Sequence, residues 1–263
     1  MAPTATSMLV DSHCHLDAAA FDADREAVIQ RAREAGVRRQ VVPAITAARW
    51  PGLRAVCGEA SGLFPAYGLH PMFMAEHQRL HLAELEAWVE RESPVAIGEC
   101  GLDFFIDDPD RDAQAFYFDA QLRLARDTGL PVIVHARKAV DEVLAAIRRL
   151  GPLQGVVHSF SGSEEQARRL FDLGFLIGLG GPVTHERARR LRRLAAAIPI
   201  DGLLLETDAP DQPDAGIKGQ RNEPARLPRV LDCIAELRDV PRDEIAAATT
   251  RNAERLFRLP PTP

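Results

Sequence analysis

The stretch VDSHCHLD, residues 10–17, closes the first apolar run of the chain. An open, doubly wound α/β sheet ordinarily carries a glycine-rich phosphate loop at that point. Here the position holds two histidines one residue apart and no glycine. Outward from it, short apolar runs recur at 8–13, 39–45, 63–70, 94–100, 131–136, 155–160, 175–181 and 202–208. Longer amphipathic stretches lie between them, among them ADREAVIQRAREAG, RDAQAFYFDAQLRLARDTG and SEEQARRLFDLG. Several end on a glycine just before the next run (Gly36, Gly129, Gly151 and Gly174), the usual left-handed helix stop. Eight strands alternating with helices imply parallel pairing through crossover helices, and eight is the number that closes a (β/α)8 TIM barrel. No internal repeat or low-complexity linker interrupts the pattern. Residues 1–263 therefore read as a single α/β barrel domain, with 1–7 a flexible N-terminus. The segment PRDEIAAATTRNAERLFRL reads as an extra C-terminal helical segment packed on the outside.

Composition narrows the function classes. Hydrophobic residues make up 46% of the 263, enough for a sizeable core. The formal net charge of −6 argues against a broadly basic nucleic-acid binder, although a local positive patch or bound metal ions would still serve a nucleic-acid substrate. Cys14, Cys57, Cys100 and Cys233 form no CxxC pair, so neither a zinc knuckle nor a disulfide framework is expected. Residues 1–8 lack the charged and apolar regions of a secretion signal, and no apolar run approaches the ~20 residues that span a bilayer. The expected location is the cytoplasm.

Ionisable residues fall at the carboxyl ends of the runs, where a barrel keeps its functional groups. His13 and His15 end the first run, His70 the third, Glu99 the fourth, His135 the fifth and His158 the sixth; Glu206 and Asp208 end the eighth. Strand alternation places Leu9, Asp11 and His13 on one face, with His15 joining them if the strand extends. It likewise pairs Ile97 with Glu99, Ile133 with His135, Val156 with His158, and Leu204 with Glu206 and Asp208. A single histidine at a strand end is more often a hydrogen-bonded core residue than a ligand. Four histidines with two or three carboxylates at one barrel end form a mixed nitrogen and oxygen set suited to Zn²⁺ or Mn²⁺. Six ligands exceed what one tetrahedral zinc needs, so two divalent metals are expected, with Glu99 placed to bridge them. Asp11 reads as a support that holds a ligand histidine by its far nitrogen. Cys14 reads as packing turned away from the metals. The run HERARRLRRLAAA, 185–197, reads as the solvated face of the seventh helix.

The segments LVDSHCHLD, GLHP, AIGECGLD, PVIVHARKAVDE, VVHSFSG, LLLETDAP, GQRNEP and TTRNAERLF resemble, over nearly the whole chain, the TatD family of metal-dependent hydrolases within the amidohydrolase-type barrels. The resemblance implies a distorted (β/α)8 barrel and a Mg²⁺- or Mn²⁺-dependent deoxyribonuclease. It assigns His13, His15, Glu99 and Asp208 to one metal, and His135 and His158 to a second around bridging Glu99. Phe104, Phe105 and Ser159 stand where the family often has two tyrosines and a cysteine, and Met72 where some members have a further histidine. These departures bear on substrate contacts rather than on the ligands.

The expected activity is cleavage of phosphodiester bonds in DNA by a hydroxide held between two divalent ions (Zn, Mg or Mn). The alternative is the same centre hydrolysing a carboxylic ester, lactone or amide. Asp208 is the residue expected to take the water's proton. Glu99 bridges, His70 is an acid or a substrate contact, and Glu206 orients Asp208 or a water. Arg137, two residues past His135, and Lys218 and Arg221, in the long loop after Asp208, are the expected phosphate contacts.

Overall fold

The computed structural model of the chain describes residues 8–260; the expected flexible segment 1–7 lies outside them. Eight parallel strands run in chain order around one sheet: β1 (Leu9–Asp11), β2 (Val37–Pro43), β3 (Leu63–Tyr67), β4 (Ala96–Asp103), β5 (Val132–Arg137), β6 (Gly155–Val157), β7 (Phe175–Leu179) and β8 (Leu203–Leu205). Helices fill every crossover: α1 (Arg25–Glu34), α2 (Trp50–Glu59), α3 (Leu80–Glu92), α4 (Arg111–Thr128), α5 (Val140–Leu150), α6 (Glu164–Asp172) and α7 (Arg189–Ala197). Then come α8 (Leu227–Arg238) and α9 (Arg242–Phe257). This is the (β/α)8 barrel.

Local chemistry accounts for the helix limits. Asp110 caps α4 by accepting from the Ala113 amide, and Ser163 with Gln166 forms a reciprocal capping box on α6. Gly36, Gly129 and Gly174 take positive φ at helix ends, as expected. Gly151 does not: its φ is −52° and ψ 171°. Pro152 follows it, and a residue before proline is pushed out of the helical region, so the proline ends α5. On α7, Leu194 and Ala195 are buried and Arg193 is exposed, the arrangement of a solvated helix face.

The barrel interior is filled by Val10, Val41, Ala66, Ala96, Ile133, Val156 and Leu204, one from each of seven strands. The same cluster contains Ala253, Leu256 and Phe257 of α9 and Leu259 after it. The C-terminal segment is therefore not an outer decoration, as its sequence suggests. Its apolar residues cover the interior layer of the barrel, because an open barrel end leaves strand side chains without partners.

Closure between β8 and β1 is made beyond the strands themselves. The Ser12 amide donates to Leu205 O (3.0 Å), Asp208 to His13 O (2.9 Å) and His15 to Ala209 O (2.7 Å). Asp11 accepts from the Thr207 amide (3.0 Å) and hydroxyl (2.6 Å). This lacing brings the two ends of the chain's barrel together over the HCH segment. It also corrects the alternation argument. β1 ends at Asp11, β6 at Val157 and β8 at Leu205, so His13, His15, His158, Glu206 and Asp208 all lie past their strands. Within β4, the register with β5 shifts between Ile97 and Cys100, so strict alternation also fails at Glu99.

Candidate metal centre

Glu99 is 1% exposed and sits at the centre of five imidazoles. Its Oε1 lies 2.7 Å from His158 Nε2, 2.9 Å from His70 Nε2 and 3.1 Å from His135 Nδ1. Its Oε2 lies 3.2 Å from His13 Nε2 and 3.5 Å from His15 Nε2. Asp208 Oδ1 approaches the same two nitrogens at 3.5 Å. The six residues expected as ligands are thus brought to one place, with His70 beside them.

The outer hydrogen bonds decide what the inner nitrogens present. His15 Nδ1 donates to Pro43 O (3.1 Å), which leaves Nε2 facing inward with its lone pair. His135 Nε2 donates to Asp103 Oδ2 (2.9 Å), which turns Nδ1 inward. The inward nitrogens then crowd one another: His13 and His15 approach at 3.2 Å, and so do His135 and His158. Glu99 Oε2 is buried without a hydrogen-bond donor, since His13 Nε2 is near it but not aligned. Converging lone pairs beside an unsatisfied carboxylate oxygen repel unless a positive charge lies among them. The donor set fits divalent cations. Three overlapping groups, His13–His15–Glu99, His70–Glu99–His135 and His13–His158–Glu206, have donor atoms close enough to share an ion.

His70 is wired the other way. Its Nδ1 accepts from the Met72 amide (3.1 Å), so the proton resides on Nε2 and points at Glu99. Burial holds its pKa down at about 4, so it is neutral. His70 therefore donates to Glu99 rather than competing for a cation.

Protons take the place of cations in the metal-free protein. Burial raises the pKa of the Glu99 and Asp208 carboxyls, but the surrounding histidines outweigh it and hold both below the usual range. Burial opposes charge on His15, yet Asp208 and Glu99 raise it to about 9. His135 and His158 are raised as well, against burial, by Asp103 and Glu99 for the first and by Glu99 and Glu206 for the second. His13 is lowered, by burial and by His158. A cation entering at neutral pH must expel the His15 proton, so its affinity rises with pH and levels off only above about 9, where His15 has lost that proton. Calorimetric titration with Mn²⁺ at neutral pH, in buffers of different ionisation enthalpy, is expected to show net proton release. A heat independent of the buffer would contradict this.

The supports differ from those expected. Asp11 accepts from the His13 backbone amide (3.3 Å), not from its ring, because its carboxylate is engaged with Thr207. Asp103 supports His135, a role the sequence reading missed; its place two residues after Gly101 in GLD was the available signal. Gln212 was also missed. It donates to Asp208 Oδ2 and accepts from the Ser159 hydroxyl. Asp208 itself has φ +55°, an uncommon conformation for a non-glycine residue that costs on the order of 1 kcal/mol or more. Glu206 accepts from the Ser159 amide, and its Oε1 lies 3.8 Å from His158 Nδ1, so it faces His158 rather than Asp208. Cys14 is fully buried in the hydrophobic core.

A cavity of about 420 Å³ opens onto the cluster, lined by Met72, His135, Arg137, His158, Asp208 and Gln212 among others. The expected cations are divided by the fold. Arg137 enters this cavity. Arg221 is bound to Asp24 (2.7 and 2.8 Å) and Ala20 O, which fastens the long loop to the start of α1. Lys218 is exposed on that loop, outside the cavity lining. A larger surface groove of about 990 Å³ runs along α3 and α4 and includes none of the cluster.

Residues 10–258 match the family model described as TatD related DNase. The chain belongs to the TatD family. It is 43% identical over 254 residues to the uncharacterized metal-dependent hydrolase YjjV of Escherichia coli K12, covering 95% of this chain and 98% of that one. It is 36% identical over 259 residues to the 3'-5' ssDNA/RNA exonuclease TatD of Erwinia tasmaniensis, covering 95% and 100%. The crystal structure of E. coli YjjV superposes with a TM-score of 0.93 at 42% identity over 97% of this chain and 100% of that one. This TatD-family chain is accordingly a metal-dependent hydrolase built on the TIM barrel, and its candidate metal groups lie at the carboxyl ends of the strands.

Proposed function

We propose that this chain is a divalent-metal-dependent phosphodiesterase that cleaves DNA, taking a single-stranded end. The observation that carries the reading is Glu99 amid inward-turned imidazole nitrogens, with Arg137 lining the cavity that reaches His135, His158 and Asp208 of the same cluster. The name of the Erwinia relative adds support for a single-stranded nucleic acid. In this reading His13, His15, Glu99 and Asp208 would hold one ion, and His135 and His158, with Glu99 shared, would hold a second. Bound divalent ions acidify water and neutralise charge on a phosphoryl group.

The chain's own groups do the rest. Asp208, ionised and steadied on one oxygen by Gln212, accepts the proton of the attacking water at Oδ1. His70, neutral, donates to Glu99 Oε1 and keeps that carboxylate oriented. Asp103 holds His135 with Nδ1 inward. Glu206 places its negative charge beside the outer nitrogen of His158, 3.8 Å away. Arg137 supplies the cation for substrate phosphate, for which a guanidinium fork is suited. Our reading puts the reaction in the cytoplasm, the compartment in which thiols stay reduced. All four cysteines are free, and among the described residues no helix is long and apolar enough to cross a membrane.

The test is hydrolysis by the purified protein after elemental analysis, with and without added Mg²⁺ or Mn²⁺. The panel is single- and double-stranded DNA, RNA, and simple lactones and carboxylic esters. Metal-dependent shortening of end-labelled single-stranded DNA is expected. Turnover of lactones or esters with nucleic acids left intact would assign the centre to the other bond class.

A further inference from the structure

Phe105 is 55% exposed at the end of β4, and the Arg137 guanidinium lies over its ring, 3.9 Å from the centroid. Exposed cation–π pairs occur elsewhere on the molecule; Arg79 covers Phe116 beside the α3–α4 groove. Three observations set the Phe105 pair apart. Arg137 lines the cavity that holds His135, His158 and Asp208. Its guanidinium makes no hydrogen bond or ion pair with the described residues, only the ring contact, so the guanidinium N–H groups are open to a ligand. And the pair is tied to the cluster by short bonds. The Phe105 amide donates to Asp103 Oδ1 (2.8 Å), whose other oxygen holds His135, while the Phe104 amide donates to Arg137 O (2.9 Å).

A guanidinium flat on a ring keeps its in-plane N–H groups for a phosphate, while the ring's uncovered side offers a stacking surface. Nucleic acid alternates phosphate and base, and a platform of this kind accepts any base, because every base has a π-face. It requires a base that is not already stacked in a duplex.

Resting on the phosphodiesterase reading above, we propose that Phe105 and Arg137 form the subsite for the nucleotide adjoining the bond that is cut. Arg137 takes its phosphate and Phe105 stacks its base. The subsite selects for single-stranded ends and against base identity.

Steady-state cleavage of an end-labelled DNA oligomer tests this, compared with the same oligomer carrying abasic residues at the cleaved end, with Mn²⁺ present. Phe105→Ala is expected to lose roughly tenfold in kcat/KM on the normal oligomer, mostly through KM, the loss that removing one base–aromatic stack produces. On the abasic oligomer the loss shrinks, and Phe105→Trp restores the normal substrate. Arg137→Ala loses activity on both oligomers and flattens the dependence on salt. An unchanged Phe105→Ala, or an equal loss on both oligomers, overturns the subsite and leaves the nuclease reading standing. Wild-type protein inert on DNA with Mn²⁺ overturns the nuclease reading, and the subsite with it.

Discussion

Glu99→Ala is expected to abolish metal-dependent hydrolysis, by 10³-fold or more (about 4 kcal/mol of transition-state stabilisation), while the barrel stays folded. The carboxylate is the one group in contact with all five histidines, from both of its oxygens. Both halves of the cluster lose their shared anion when it goes. The residue's own amide donates to Ala44 O (3.0 Å), a backbone bond that alanine retains. Loss of metal binding can be read independently of turnover. Ligand that binds only the folded state raises stability by about 4 kcal/mol at a thousand times its Kd. Saturating Mn²⁺ should therefore raise the melting temperature of the wild-type protein and leave that of Glu99→Ala nearly unmoved. A variant that still gains thermal stability from Mn²⁺ would remove Glu99 from the metal centre.

Gly101→Ala is expected to cost at least about 4 kcal/mol, lowering Tm by roughly 10 °C in a chain of this size. Gly101 has φ +142°, a region open essentially only to glycine. An added Cβ would also run into the His135 carbonyl on β5, which is backbone and cannot turn aside. The two penalties add. Gly129→Ala separates them. That residue is also at positive φ (68°), but a Cβ there meets nothing within 4 Å, so only the conformational cost of about 1 kcal/mol remains. Thermal unfolding of the two variants side by side gives the comparison. Equal losses would show that β4 and β5 separate without cost and that the close approach is unimportant. Damage at Gly101 also reaches the site, since Gly101 is the register partner of His135 and Asp103, two residues on, holds that ring.

The strand count, the helix segments between strands and the chemical identity of the cluster are legible in the chain. Each rests on a local property: apolar runs of strand length, helical periodicity, and ionisable residues at the ends of runs. Alternation, by contrast, carried His13 and His15 to the right neighbourhood for a reason that does not hold. His13 and His15 face Glu99 because the segment after β1 is laced to the segment after β8, not because β1 extends to reach them. Asp103 and Gln212 were not read as supports, because the atoms of His135 and Asp208 that they hold are settled only once side chains have directions. Arg221 and Arg137 look alike as cations near the catalytic end. Asp24, some two hundred positions away from Arg221, removes it to the loop's anchor. The C-terminal helix gave no sign that it covers the barrel's interior layer, since its apolar face could as well have packed on the outer ring.

By itself the sequence determined that eight strands would alternate with helices and that histidines and carboxylates would gather at one rim. These follow from side-chain periodicity and from the residue types available, which are properties of neighbours along the chain. Only the tertiary structure decided which nitrogen His15 and His135 turn inward, that His70 donates to Glu99, and which arginine reaches the cavity. Those outcomes depend on partners distant in sequence (Pro43 for His15, Asp103 for His135, Asp24 for Arg221) and, for His70, on the amide of Met72 two residues on; a hydrogen bond's direction exists only when both of its ends have been placed.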